Sequence, residues 1–229
     1  MLLAIDTSTH SASLCLMHER VIVASRTLEG AGRRHAQTLV QEAGQLLAEQ
    51  SLKPCDLHAV AVSAGPGSFT GLRVGLVFAK TLAWLNRIPL LAVDTLQAIA
   101  QQLNPHEMTA DASPTVLVIS DAQRNEVFAC EYRYDPAIEL WQPVGNLRIA
   151  KPAELGEQAL IAGPAVPRHQ LFLDALPQPP RCIELQPVAT AVAAIAYHLL
   201  KTNQTANPAT LEPIYVRPSY AEEKKQLRS

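Results

Sequence analysis

Leu2-Leu3-Ala4-Ile5-Asp6-Thr7-Ser8-Thr9 opens the chain, and Thr115-Val116-Leu117-Val118-Ile119-Ser120-Asp121 restates its pattern midway along. Each is a short apolar run that ends in an aspartate. An apolar run of this length between polar turns reads as a buried strand. After the first, Ser11 to Met17 and Val21 to Leu28 read as two more strands joined by tight turns, an antiparallel meander. After the second, Asn125 to Tyr134 and Ile138 to Trp141 do the same. The strand–aspartate–meander unit is therefore present twice, with an acid at the tip of each first strand and a cleft between the two copies.

Between the copies the pattern turns helical. Ala36, Leu39, Val40, Ala43, Leu46 and Leu47 recur at three- and four-residue steps and predict a helix over Arg33 to Gln50. A strand from His58 to Val62 runs into Ser63-Ala64-Gly65-Pro66-Gly67-Ser68-Phe69-Thr70-Gly71-Leu72-Arg73-Val74-Gly75. That glycine-rich turn opens a second helix, about Thr70 to Leu85. Pro89 to Val93 is the next strand, and Asp94 or Thr95 caps a helix reaching Leu103. The first half reads βββαβαβα over 1–104. The second half, 105–229, restarts the order and is shorter, with a strand at Ala159 to Ala162, a helix from Pro187, and a proline-rich, then charged, segment from about 207 read as a mobile tail.

Composition sets bounds. The chain has 229 residues, 48% hydrophobic and 17% charged, with a net charge of −2. That is a globular balance without the basic excess of an autonomous nucleic-acid binder. The start lacks a basic, extended apolar leader, and no apolar run approaches the ~20 residues that span a bilayer. The expectation is a cytoplasmic protein. Cys15, Cys55, Cys130 and Cys182 are far apart, with no CxxC pair, and read as buried free thiols.

Three features carry chemistry, and each has two readings. Asp6, Thr7 and Ser8 suit a magnesium–phosphate site, a carboxylate followed by hydroxyls and backbone N–H groups; they equally suit an Asx turn. Asp121 is the matching acid. Gly65, Gly67 and Ser68 can present N–H groups to an anion at a helix start. They lack the lysine of a phosphate loop and the spacing of a dinucleotide fingerprint, and Ser68 can instead be a helix cap. The second helix is apolar all round. Leu72, Leu76, Val77 and Phe78 leave no polar stripe, so either the helix is wholly buried or one face docks another protein. Gly71 and Gly75, four apart, would let another helix approach closely. Leu39, Val40 and Leu46 of the first helix would complete half of a helical bundle.

Arg33, His35 and Arg34 begin the first helix. A metal site would need a second ligand four residues after His35, and that position is Leu39. No metal site is expected. Arg33, Arg34 and Arg73 are either solvated charges or contacts to an acidic partner surface.

These residues resemble the TsaB (YeaZ) family. The likeness rests on Leu3 to Thr9, Gly65 to Gly75, Asp121-Ala122-Gln123-Arg124-Asn125-Glu126-Val127-Phe128 and Tyr215-Val216-Arg217. It is looser in the second half, where the family commonly has Asp-Ala-Arg for Asp121-Ala122-Gln123 and a Gly-Asp-Gly-like turn for Ala162-Gly163-Pro164. The resemblance implies an α/β, actin-like and sugar-kinase-like ATPase fold, ribonuclease H-like, of two duplicated subdomains with the second truncated. It implies a non-catalytic scaffold that binds the catalytic subunit TsaD through the first two helices, with the ATPase TsaE joining. The complex transfers threonylcarbamoyl from threonylcarbamoyl-adenylate to N6 of adenosine 37 in tRNAs reading ANN codons. The family's interface implies contacts by Arg33, His35, Leu39, Val40, Leu46, Leu72, Leu76, Val77 and Phe78. It also implies self-association as a homodimer, tRNA contact only through the complex, and no tightly bound cofactor, with ATP or ADP and Mg at the complex interface. The alternative is an autonomous Mg-dependent ATPase or small-molecule kinase using Asp6, Asp121 and the glycine loop. A metallopeptidase, a label given to the wider family, is opposed by Leu39.

Overall fold

The computed structural model describes residues 1–28, 33–108 and 113–216, with side chains of the first helix from residue 38 onward. Two sheets have the same strand order. In the first, β1 (Leu2–Asp6), β2 (Ala12–His18) and β3 (Val21–Leu28) are antiparallel neighbours. Then β4 (Ala59–Gly65) and β5 (Leu90–Asp94) add in parallel on the other side of β1, giving β3-β2-β1-β4-β5. In the second sheet, β6 (Thr115–Asp121) pairs antiparallel with β7 (Val127–Asp135). Beyond β7 lie β8 (Leu140–Pro143), paired with its Tyr132–Asp135 end, and β9 (Arg148–Ala150), paired with its Val127–Ala129 end, two short pieces in line along one edge. Strands β10 (Leu160–Ala162) and β11 (Arg181–Ile183) add in parallel beyond β6. The order β8-β7-β6-β10-β11 repeats that of the first sheet. This is the duplicated ribonuclease H-like arrangement of actin-like and sugar-kinase-like proteins.

The helices are α1 (Arg33–Glu49), α2 (Phe69–Asn86), α3 (Thr95–Ala100), α4 (Val166–Asp174) and α5 (Ala189–Lys201). Asp94 caps α3, accepting from the N–H groups of Leu96 at 2.7 Å and Gln97 at 3.1 Å. In the second half the place of α1 is taken by a single 3₁₀ turn, Pro152–Glu154, and the place of α2 by the nine-residue α4.

Period-two alternation sorts the first sheet into two faces. Leu3, Ile5, Leu14, Leu16, Val60 and Val62 point to one side, where Leu39, Ala43, Leu46 and Leu47 of α1 and Leu76, Ala79 and Ala83 of α2 cover them. Leu2, Ala4, Cys15, Met17, Ala59, Ala61, Leu91 and Val93 point to the other, where α5 covers them with Ala189, Val192, Ala193, Ile195 and Ala196. Small residues on both sides let helix and sheet approach closely. In exchange, α3 leaves the first sheet's edge and sets Leu96, Ile99 and Ala100 against Val116, Val118 and Tyr132 of the second. Each sheet is thus closed by a helix from the other half. The outer face of the second sheet, Leu117, Ile119, Val127, Ala129 and Ile161, packs under Val166 and Leu173 of α4.

Two expectations change here. Residues 207–216 are not a loose tail. The chain returns from α5 along the first subdomain. Ala206 donates to the Leu90 carbonyl at 2.8 Å, Lys80 Nζ donates to the Leu211 carbonyl at 2.9 Å, and Ile214 donates to the Ala64 carbonyl at 2.7 Å. Backbone hydrogen bonds hold this strap, and composition does not disclose them. Of the thiols, Cys15 and Cys130 are buried, Cys182 is half-buried and Cys55 is exposed on the 3₁₀ turn Pro54–Asp56. Burial pushes the Cys15 thiol up to about 11.

Candidate functional site

The turn after β1 and the start of α2 meet face to face. Asp6 is wholly buried. Its Oδ1 accepts from the Ser8 N–H and hydroxyl, both at 3.0 Å, and its Oδ2 accepts from the Ser8 hydroxyl at 3.1 Å and from the Ser63 hydroxyl. Burial raises the Asp6 pKa above the ordinary carboxylate range, against the opposing pull of these hydrogen bonds from Ser63 and Ser8. The Thr7 hydroxyl donates to the Gly71 carbonyl at 2.7 Å, and the Ser68 N–H donates to the Ser8 carbonyl at 2.6 Å.

The glycines serve this contact. A Cβ at Gly71 would lie 2.0 Å from the Thr7 carbonyl oxygen, at Gly67 2.4 Å from that of Ser8, and at Gly75 2.2 Å from the Thr7 hydroxyl. Gly65 has φ +117°, open to glycine and strained for other residues, and a Cβ there would crowd the Ile214 carbonyl at 2.9 Å. Asp6, Thr7 and Ser8 thus lie against Gly67 and Ser68 at the start of α2, whereas Gly65 lies against Ile214. Here the Ser68 N–H is spent on Ser8, and the Gly71 N–H reaches the Ser68 hydroxyl at 3.3 Å. Gly71 and Gly75 admit the β1 turn rather than another helix. Asp121 differs from its counterpart: it is exposed, paired with Arg168 at 2.8 Å, and accepts from the Gln123 N–H at 2.8 Å. Ser63, whose hydroxyl completes the Asp6 cage, escaped sequence reasoning because a small serine in an apolar strand carries no periodic signal.

The predicted partner face divides cleanly. Leu39, Leu46, Leu72 and Leu76 are core residues, each 2% exposed or less. Their expected place at an interface is corrected, because a helix that lies on a sheet must spend its most apolar face there. Val40 and Val77 point outward, and Phe78 is half-buried. The side chains of Arg33 and His35, and Arg217, lie outside the described residues. The outward face of α2 has larger groups than those singled out: Val77 is 64% exposed, Trp84 73% and Leu85 64%. At the start of α2 the Arg73 guanidinium sits 3.8 Å above the Phe69 ring, and its Nε donates to the Tyr215 hydroxyl at 2.8 Å. The Phe69 and Tyr215 rings lie 4.9 Å apart. At the far end, Trp84, Leu85, Arg87, Ile88 and Pro208 line an open cavity of about 450 Å³. The side chains that signal this face were visible as an all-round apolar helix; which of them turn outward needed the sheet beneath. Among the described residues, no three His, Cys, Asp or Glu side chains converge as a metal site would require.

The fold and this surface define a duplicated actin-like α/β protein whose β1 turn is sealed and whose second helix presents large apolar side chains to solvent. The family described as TsaD, tRNA N6-adenosine threonylcarbamoyltransferase, matches residues 27–171. The tRNA threonylcarbamoyladenosine biosynthesis protein TsaB of Bacillus subtilis is 33% identical over 150 residues, covering 65% of this chain and 62% of that protein. The chain thus matches less than two thirds of that relative's length. An uncharacterized Mycobacterium tuberculosis protein is 34% identical over 219 residues, 94% of this chain and 90% of that one. The solved structure of YeaZ from Pseudomonas aeruginosa superposes with a TM-score of 0.78 at 26% identity, covering 93% of this chain and 98% of that one. The chain belongs to the TsaB (YeaZ) family, within the wider group that the TsaD description covers.

Proposed function

We propose that this chain takes part in tRNA threonylcarbamoyladenosine synthesis as a non-catalytic scaffold and activator. Its partner is the TsaD-type catalytic subunit, docked on the outward face of α2 and the adjoining part of α1, with TsaE joining the assembly. The observation that carries the reading is the exposed row Val77, Trp84 and Leu85 on a helix whose opposite face is locked into the core. Large exposed apolar groups in one patch mark association sites, and tryptophan is the commonest anchor of such sites. The sealed Asp6 turn supports the non-catalytic part, since its carboxylate and the first N–H groups of α2 are already engaged. In this reading the protein works in the cytoplasm, contacts tRNA through the complex, holds any ATP or ADP and Mg at the shared interface, and self-associates through the same face when its partner is absent. Among the described residues, no helix is long and apolar enough to cross a membrane.

Co-purification with the TsaD-type subunit and reconstituted tRNA modification test the proposal. Trp84→Ala and Val77→Arg should each weaken the complex by about 2 kcal/mol, roughly thirtyfold, with an unchanged melting temperature. Leu76 is unsuitable for this purpose, because it is buried and its replacement by arginine would unfold the helix from the sheet. Wild-type binding and modification by both variants would defeat the interface assignment.

The duplicated fold, with an acid at the end of β1 and of β6, favours a second reading as an autonomous ATPase or kinase. Magnesium-dependent ATP turnover by the purified chain, abolished in Asp6→Asn, would establish it.

A further inference from the structure

The strap and the end of α2 enclose a site between them. The strap runs antiparallel along the helix: Ala206 is bonded to Leu90, Leu211 to Lys80 and Tyr215 to Arg73. Between the first two attachments lies a hydrogen-bonded turn. The N–H groups of Thr210 and Leu211 donate to the Asn207 carbonyl at 3.2 and 2.9 Å, and that of Ala209 donates to the Asn207 side-chain oxygen at 2.9 Å. This turn holds Pro208 in place as one wall of the cavity of about 450 Å³. Buried Ala83 and half-buried Ile88, which packs on the first core, line it too, and exposed Trp84 and Leu85 complete it. The volume falls within the roughly 300–1,000 Å³ of pockets that enclose small organic groups.

Every lining side chain but one is apolar. The exception is Arg87, which ends α2 in the left-handed region at φ +55°. That cap takes Arg87 out of the helical rows of α2 and leaves it at the cavity. No acid lines the cavity, and among the described residues the Arg87 guanidinium has no hydrogen-bond or ion-pair partner. A guanidinium offers a carboxylate a planar fork of donors. Apolar walls beside such a pair exclude water and strengthen it.

We infer that this cavity is the anchor pocket for the TsaD-type subunit, and that it takes a large apolar side chain flanked by a carboxylate. The side chain would lie against Trp84, Ile88 and Pro208, and the carboxylate would meet Arg87. Charge complementarity selects that occupant, since a cation is the one charged group present. Continuity assigns it to the partner: Trp84 and Leu85 belong both to the cavity and to the exposed row on α2. Binding energy concentrates where an aromatic anchor, a pocket and one desolvated charge pair coincide. The inference rests on the reading of α2 as the docking face. It adds that the strap forms part of that face and that Arg87 sets its specificity.

Variants at Arg87 test it, with affinity measured between the full chain and the TsaD-type subunit of the same organism. Glycine suits a left-handed helix cap at least as well as arginine, so Arg87→Gly removes the cation while the melting temperature holds. It should bind about tenfold more weakly at about 0.05 M NaCl, Arg87→Glu more weakly still, and Arg87→Lys between wild type and Arg87→Gly. Raising NaCl to about 0.5 M should weaken the wild-type complex and leave Arg87→Gly nearly unchanged. Pro208→Glu, which gives Arg87 an acid of its own, should also lose about tenfold. Arg87→Glu and Arg87→Lys make the same demand on the backbone, so their ratio reads the charge even if the glycine variant melts lower. Equal affinity and equal salt response across the Arg87 series overturn the inference; the docking role of α2 stands if Trp84→Ala still weakens that complex. Loss of self-association in Arg87→Gly with hetero-binding intact would give the pocket to a second copy and overturn the assigned occupant. Absence of any complex with the wild-type chain overturns both readings.

Discussion

Asp6 couples a buried carboxylate to the geometry of the β1 turn. Burial holds its pKa above the ordinary aspartate value of 3.8, so the folded state favours the protonated form. Its contribution to stability is therefore complete below about pH 4 and declines as pH rises through the raised folded value. Asparagine is neutral at every pH and can still accept from the Ser8 N–H while donating to Ser63. Melting temperatures across pH 4 to 8 should show the wild type losing ground to Asp6→Asn as pH climbs. Parallel curves would mean that the charge is not under strain. Asp6→Ala should cost about 1–3 kcal/mol at all pH values, since the Ser8 and Ser63 hydroxyls lose their acceptor. Asp6 was legible in the sequence as a special position. Its role was not, because the deciding partner, Ser63, stands 57 residues away on a neighbouring strand.

Helix α2 is where sequence and structure diverge most informatively. Its glycines lie on the face where the helix crosses the β1 turn, as tightly as two backbones allow, and Val77, Trp84 and Leu85 on the far side are exposed. A glycine inside a helix ordinarily costs about 1 kcal/mol relative to alanine. Gly44 of α1 has open space around its Cβ position. Gly44→Ala should therefore raise stability by about 1 kcal/mol. Gly71→Ala should lower it by about 1–3 kcal/mol, because the new methyl meets the Thr7 carbonyl. Denaturant midpoints measured side by side check the opposite signs, and a stabilising Gly71→Ala would refute the close crossing. Periodicity located both helices to within a residue or two at most ends. It could not rank their faces, because Leu39, Leu46, Leu72 and Leu76 look no different in sequence from Val77, Trp84 and Leu85. The strap over α2 was missed for a related reason: main-chain groups of Ala206, Leu211 and Ile214 hold it, and these are common to every residue type.

At the scale of the molecule, the duplication was readable from two aspartate-tipped strands, and the repeated sheet order extends it through β11. Even the glycine–proline pair ending β4, Gly65-Pro66, has its counterpart after β10 in Gly163-Pro164, each glycine with positive φ. The exchange of α3 and α5 between the sheets was not readable, since nothing local distinguishes an alanine-rich helix that covers its own sheet from one that covers its neighbour's. It predicts that a fragment of residues 1–104 will not fold alone, because Leu2, Ala4, Met17, Ala61 and Val93 would lose their cover. Addition of a peptide spanning 187–203 should restore soluble, cooperatively melting protein; a monomeric fragment 1–104 with a sharp transition would refute the dependence. On the ribosome the same feature sets a schedule. All five strands of the first sheet are complete by Asp94, yet the helix that closes it ends at Lys201. At 5–20 residues per second, the nascent chain holds one greasy face of a finished sheet open for roughly 5–20 s. Translation pace through the second half, and chaperone access during that interval, thereby become determinants of how much of this protein a cell recovers.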